Sequence, residues 1–318
     1  MAKFVTLKLL RLIGVVFAVS ALTFVMVAML PADIAYDIAG QDATPAQIEA
    51  IRAELGLDQN VLVRYGHWLM SLAQGDMGRS FRSDEPVLDA IWSRLPVTIE
   101  LLVLSQVFAL LLAIPAGVYC AYRAGSRFDR VLGSTGFGMI SVPTFVLAIV
   151  LIYLFALRLE WLPATGYEPF SEGVWANLRT FVLPSLSIAL VEWVPLMRTL
   201  RSDMIATLKE DFISMAKAKG LPAWRILTRH ALRPSSFTLI TILGLQIGGL
   251  IGGALIIETI FALPGIGRLL INAIYARDYM IVQGCILFIA VGYVVINFVV
   301  DMLYVALDPR IRTAGAGG

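Results

Sequence analysis

The chain has 318 residues, of which 58% are hydrophobic and 15% charged, with a mean hydropathy of +0.81. A water-soluble domain carries about 25% charged residues, so this composition excludes an ordinary soluble protein and points to a chain held largely in lipid. The formal net charge of +2 says little as a sum, and the distribution of the 25 Lys and Arg says more.

Crossing a hydrocarbon core takes about 20 predominantly apolar residues. Six stretches are read as spans: residues 9–30, 97–119, 131–157, 182–197, 237–261 and 280–307. The first follows Lys3, Lys8 and Arg11 and could pass for a signal peptide. Its apolar run exceeds the roughly 7–15 residues usual there, so it reads as an uncleaved helix. After it, Thr44-Pro45-Ala46-Gln47 forms a capping box with proline at the first helical position, and Gly56 supplies a C-cap. A second amphipathic helix follows with Val61, Tyr65, Trp68 and Leu72 in register. These two helices read as packing and lid on the outer surface, or else as part of a substrate site.

The fourth stretch is the shortest, and it holds Pro184, Pro195 and Glu192. Membrane helices tolerate proline where neighbours satisfy the freed carbonyls, so it is counted as a span. An acid at membrane depth must face protein or water. Glu192 lies deepest and is the candidate for lining a translocation path, while Glu100 and Asp301 lie nearer span ends, where pairing is expected. The fifth stretch carries Gly244, Gly248 and Gly252 at four-residue spacing. Such spacing lets helix backbones approach closely, within one chain or against a second subunit.

Orientation follows from the basic residues. The N-terminus, the loop after the second stretch, the loop after the fourth and the tail hold 16 of the 25 Lys and Arg. They alternate with acidic segments, above all residues 32–94 with ten acids. Both termini are therefore expected in the cytoplasm, and an even number of spans agrees with that.

Catalytic chemistry finds no foothold. His67 and His230 both lie outside the apolar runs, Cys120 and Cys285 are solitary within them, and neither a metal site nor a nucleophile–base pair emerges. No Gly-Lys pair exists, so the chain lacks a phosphate loop and no cofactor of its own is expected.

The most informative segment is residues 211–234. Helical composition runs through Lys219, Gly220 suits the left-handed residue that ends a helix, and Pro222 suits the first turn of the next. The result is a helix–glycine–helix elbow outside the membrane. Its first helix shows a stripe of Phe212, Met215, Ala216 and Lys219, which either docks into a partner's groove or folds back on its own bundle.

Ala216-Lys217-Ala218-Lys219-Gly220 with His230-Ala231-Leu232-Arg233 resembles the coupling loop of binding-protein-dependent ABC importer permeases, in their dipeptide/oligopeptide branch (B-type subunit). Gly75-Asp76-Met77-Gly78-Arg79-Ser80 is similar to that branch's motif ahead of the second span. Glu258-Thr259-Ile260-Phe261 with Pro264-Gly265-Ile266-Gly267 resembles its outer hairpin, and Leu307-Asp308-Pro309-Arg310-Ile311-Arg312 its C-terminal signature. The resemblance runs nearly end to end. The wider superfamily has Glu-Ala-Ala before the loop glycine where this chain has Ser214-Met215-Ala216. Contacts therefore carry over at Ala216 and Gly220, with Asp211, Phe212, Lys217 and Trp224 as further candidates.

The resemblance implies an all-α integral membrane protein with the type I importer permease fold, six transmembrane helices and a bacterial inner-membrane location. It implies residues 1–95 as first span plus external segment, 96–310 as a five-helix core with the coupling loop at about 203–234, and 311–318 as a tail. The implied partners are a second homologous permease, two ABC ATPases that hold ATP and Mg, an extracytoplasmic solute-binding protein and the bilayer, with no nucleic acid. Cargo in this branch includes peptides, glutathione, opines, sugars and nickel. An ion-coupled secondary transporter is the alternative reading; internal repeats would favour it, and none is evident.

Overall fold

A computed structural model describes residues 2–29, 34–39, 43–54 and 56–307. Its helices, in chain order, are α1 (Ala2–Ala28), α2 (Ile34–Ala39), α3 (Pro45–Glu54), α4 (Val61–Ala73), α5 (Val87–Tyr122), α6 (Arg127–Ser141), α7 (Thr144–Leu151), α8 (Val174–Thr207), α9 (Asp211–Ala218), α10 (Ala223–Arg225), α11 (Leu232–Ile260), α12 (Ile266–Ala276) and α13 (Tyr279–Leu307). Two π-helical stretches, Ile152–Arg158 and Ile226–Ala231, extend α7 and precede α11. Among the described residues there is no sheet, only an isolated bridge between Arg79 and Pro86.

Among the described residues, three helices are long and apolar enough to cross a membrane: α5, α8 and the Tyr279–Val300 part of α13. Counting each of two bent pairs as one span brings the number to five at most. The stretch at residues 131–157, expected as one span, is broken between α6 and α7 by 101°. The cause is local. Pro143 has no N–H to give and pushes the preceding residue out of helical geometry, and Val142 is extended at φ −90° and ψ 124°. In α11 a 59° bend falls at the glycine-rich stretch around Leu250 and Gly252, where missing side chains weaken the helix. The described apolar part of the first stretch, Leu12–Val27, falls short of a full crossing length. The tail from Asp308, including most of the C-terminal signature, lies outside the described residues.

The chain divides into two compact units, Met1–Val97 with Pro264–Val295, and Thr98–Leu263 with Ile296–Gly318. In the first, α4 packs on α1 through rings: Tyr65 lies 5.9 Å from Phe17 and 5.3 Å from Phe24, and Trp68 lies 5.9 Å from Phe24. Ser20 Oγ and Tyr65 OH share a hydrogen bond of 2.8 Å. The expected capping box is present: Thr44 N donates to Gln47 Oε1 at 2.8 Å, and Gln47 N to Thr44 Oγ1 at 3.4 Å. Gly56 then ends α3 with φ +60°. The Gly75–Ser80 motif is a turn in which Asp76 Oδ1 accepts from Gly78 N at 2.8 Å, and the buried Ser80 hydroxyl donates to Asp278.

In the second unit, α8 is the most enclosed of the three long helices. Enclosure by protein rather than lipid explains why its sequence carries polar residues and two prolines yet forms one helix of 34 residues. Its lower half contributes Leu196, Met197, Leu200 and Met204 to a core that also takes in Ile213, Ala216, Ile226 and Ala231. Thr98 Oγ1 donates to the fully buried Glu258 at 2.7 Å.

Candidate functional site

The elbow begins where α8 ends. Leu208 N and Lys209 N close the last turn on Met204 O and Ala206 O, and α9 starts three residues later. Asp211 stands in the first turn of α9 and Lys217 in the last, each favourable to the helix dipole. Gly220 follows with φ +75°. Nothing lies within 4 Å of where a Cβ would stand there, so glycine is required by backbone conformation and not by space. Pro222 precedes α10, and the π-helical stretch leads into α11.

The two faces of α9 differ. Ile213 is fully buried and Ala216 is 6% exposed, both packed into the core with Leu200, Met204 and Ile226. Phe212 and Met215 are 46% and 59% exposed, and Trp224 on the next helix is 65% exposed. The sequence stripe therefore splits: Phe212, Met215 and Lys219 look outward, while Ala216 belongs to the inward face with Ile213. The three-residue spacing of Ile213 and Ala216 puts them on one face, and the packed neighbours make that face the inward one. Arg225 lies 5.9 Å from the Trp224 ring. Each large apolar side chain removed from water stabilises by roughly 1.5–3 kcal/mol, so Ile213 and Ile226 clamp the elbow to the helix ends. Thr207 Oγ1 and Ser235 Oγ, 3.0 Å apart, join α8 to α11 at the same level.

An ion pair absent from the sequence reading reinforces this end of the unit. Arg201 donates from Nε and Nη2 to the two carboxylate oxygens of buried Asp129, both at 2.6 Å. Gly125 N adds a third hydrogen bond to Asp129 at 2.9 Å. The partners are 72 residues apart, and no local pattern could have paired them.

Farther along the same helices lies a cavity of about 510 Å³ with Glu192 and Pro195 of α8, Gln246 and Gly249 of α11, and Thr144 of α7 in its wall. Glu192 is half-buried, and Gln246 Nε2 donates to its backbone carbonyl at 3.1 Å. Glu100, expected to pair near a span end, instead lies 3.5 Å from the amide nitrogen of Asn177. The Asp301 side chain is outside the described residues. The glycine row divides as well. A Cβ on Gly244 would come within 2.5 Å of Val300, so this position serves packing inside the chain. Gly248 is buried, whereas a Cβ on Gly249, Gly252 or Gly253 would meet nothing within 4 Å.

Residues 113–313 match the family described as binding-protein-dependent transport system inner membrane component. Residues 1–102 match the N-terminal region of the corresponding membrane components. A putative peptide transport system permease protein of Brucella abortus (strain 2308) is 43% identical over 300 residues, covering 94% of this chain and 96% of the relative. The dipeptide transport system permease protein DppB of Alkalihalophilus pseudofirmus is 34% identical, covering 96% of this chain and 98% of its own. The glutathione transport system permease protein GsiC of Escherichia coli O6:H1 is 36% identical, covering 98% and 99%. The chain belongs to the family of inner-membrane components of binding-protein-dependent transport systems.

Proposed function

We propose that this member of the binding-protein-dependent transport family is a permease subunit of an ATP-driven importer of peptides or related small solutes. It crosses the bacterial inner membrane six times with both termini in the cytoplasm, and it forms the translocation path with a second, homologous permease. Residues 1–95 supply the first span and the external helices, and residues 96–310 the core. An extracytoplasmic binding protein delivers cargo. Two ATPase subunits hold ATP and Mg and perform the hydrolysis, so this chain contributes movement and no catalysis.

The observation that carries the reading is the two-faced elbow: one face is packed into the core with α8 and α11, and the other offers Phe212, Met215 and Trp224 to an outside partner. Asp211, Lys217 and Gly220 shape its ends, and Ala216 anchors it from within. The same two helices reach the Glu192 cavity. From Glu192 to Thr207 along α8 is about 22 Å at 1.5 Å per residue, so motion of the elbow is carried as a rigid lever to the cavity wall. Shifting a two-state pore from 1:99 to 99:1 takes about 5.5 kcal/mol, and a clamped elbow transmits that where a loose loop would not.

The test is uptake in vesicles containing the assembled transporter and its binding protein. Accumulation that requires ATP and persists when ion gradients are collapsed is expected. Accumulation driven by an ion gradient with this chain alone would instead establish a secondary transporter.

A further inference from the structure

The cavity on α8 and α11 has an unusual polar lining for its place in the chain. Its walls are largely apolar, with Ile188, Ile242 and Leu245 among them. Besides the Thr144 hydroxyl, the polar groups in the wall are Gln246 and Glu192, and both present acceptors. Gln246 commits its amide nitrogen to the Glu192 carbonyl, a group that can only accept, and this fixes which end of the amide is left over. The end left over is Oε1, which is buried and has no partner. Glu192 stands beside it in the cavity wall, and no cationic side chain lies within ion-pair distance of its carboxylate among the described residues. Buried acceptors without donors are costly, and an acid at membrane depth is more so. Such a pair is relieved by a ligand that brings both a positive charge and several N–H donors.

We propose that Glu192 and Gln246 form a cation-selective subsite for cargo bearing a primary ammonium group, supplied by a lysine-like side chain or by a free amino terminus. This deepens the transport reading and rests on it. An ammonium group has three donors and no acceptor, so one group can satisfy the carboxylate and Gln246 Oε1 together. A carboxylate group placed against Glu192 meets repulsion instead. The volume of about 510 Å³ falls within the roughly 300–1,000 Å³ of small-ligand sites, large enough for one or two residues of a short peptide.

Competition uptake tests this with the intact transporter, its cognate subunits and its binding protein in proteoliposomes. The cargo is an equimolar mixture of Ala-Lys-Ala and Ala-norleucine-Ala, each with free and acetylated amino terminus, counted inside the vesicles by mass spectrometry. The same binding protein serves every permease variant, so its own preference cancels in the ratios. In Glu192→Gln the lysine-to-norleucine ratio or the free-to-acetylated ratio should fall about tenfold, equivalent to about 1.4 kcal/mol. The ratio that falls identifies which ammonium the subsite reads. Gln246→Leu should lower the same ratio by a smaller factor. If uptake is ATP-dependent and neither ratio moves, the subsite is refuted while the importer stands. If Glu192→Gln depresses all four cargoes equally, Glu192 acts on the transport cycle and not on charge, and the proposal is wrong. Absence of ATP-dependent uptake of any peptide by the unaltered transporter would overturn the transport reading itself, and the subsite with it.

Discussion

Arg201 holds Asp129 by two parallel hydrogen bonds of 2.6 Å, locking the first turn of α6 to the lower part of α8 shortly before the elbow begins. The arginine side chain keeps 32% of its exposure while the aspartate is buried. Breaking such a pair leaves one charge without its partner, and the burial lies on the aspartate's side.

Arg201→Met should therefore destabilise the chain by about 3 kcal/mol, the low end of the range for breaking a buried pair. Asp129→Asn should cost less, because Arg201 can turn to water. The double variant Asp129→Leu with Arg201→Met should recover part of the loss. Thermal unfolding of the detergent-solubilised protein would rank the three, and a double variant less stable than either single one would refute the account.

The division of the elbow predicts two kinds of failure. Trp224→Asp alters an exposed residue, so expression and melting temperature should hold while the ATPases are lost from pull-downs, by about thirtyfold in affinity if Trp224 is worth 2 kcal/mol. Ala216→Asp places a charge among Leu200, Met204 and Ile213, and should lower the melting temperature of the chain without any partner present. An unshifted melting temperature for Ala216→Asp would mean that the residue faces outward.

Gly220→Val should strain the turn by about 1–2 kcal/mol, the cost of left-handed geometry for a side-chain-bearing residue. Since no atom crowds the position, Gly220→Asn should be nearly silent. We expect the valine variant to keep partial ATPase binding and to hydrolyse ATP with little transport. Coupling ratios measured in proteoliposomes, moles of cargo per mole of ATP, would decide it.

Along α11, Gly244→Ala should cost about 1–3 kcal/mol by overpacking against Val300. Gly252→Ala should leave the isolated chain's stability unchanged, as nothing approaches it there. Gly252→Leu should then reduce co-purification of the second permease, if that face meets it. Equal losses of stability at positions 244 and 252 would contradict the division of the glycine row.

The six-span topology is checked with single cysteines in a variant lacking Cys120 and Cys285. Positions 44 and 173 should react with an impermeant thiol reagent on spheroplasts, and position 220 only after lysis. Labelling of position 220 from outside would invert the whole arrangement.

Much of this fold is written in local patterns. The capping box at Thr44 and Gln47, the positive φ of Gly220 and the helical extents around residues 97–119 and 182–197 follow from short-range rules acting over one or two turns. The broken stretch at residues 131–157 was less visible, because hydropathy sums over a window and is blind to Pro143, although proline and the β-branched residue before it carried the signal. The split of the α9 stripe needed knowledge of what lies on each side: Phe212 and Ile213 are equally apolar, and only the neighbouring helices decide which is buried. The Asp129–Arg201 pair and the Gln246 contact to Glu192 depend on segments 72 and 54 residues apart meeting in space, so neither had a sequence signature.

The π-helical stretch Ile226–Ala231 joins the elbow to α11. A π turn holds one residue more than an α turn closing over the same length of backbone, and each residue of an α-helix advances by about 100° around the axis. The azimuth at which Trp224 and its neighbours are presented is thus set by counting, as the index of a gear is set by its teeth. Removing one residue within the stretch would let regular helix run through and would carry the apolar patch roughly a quarter-turn around α11. The membrane-facing part of α11 would keep its register, and the patch alone would point elsewhere.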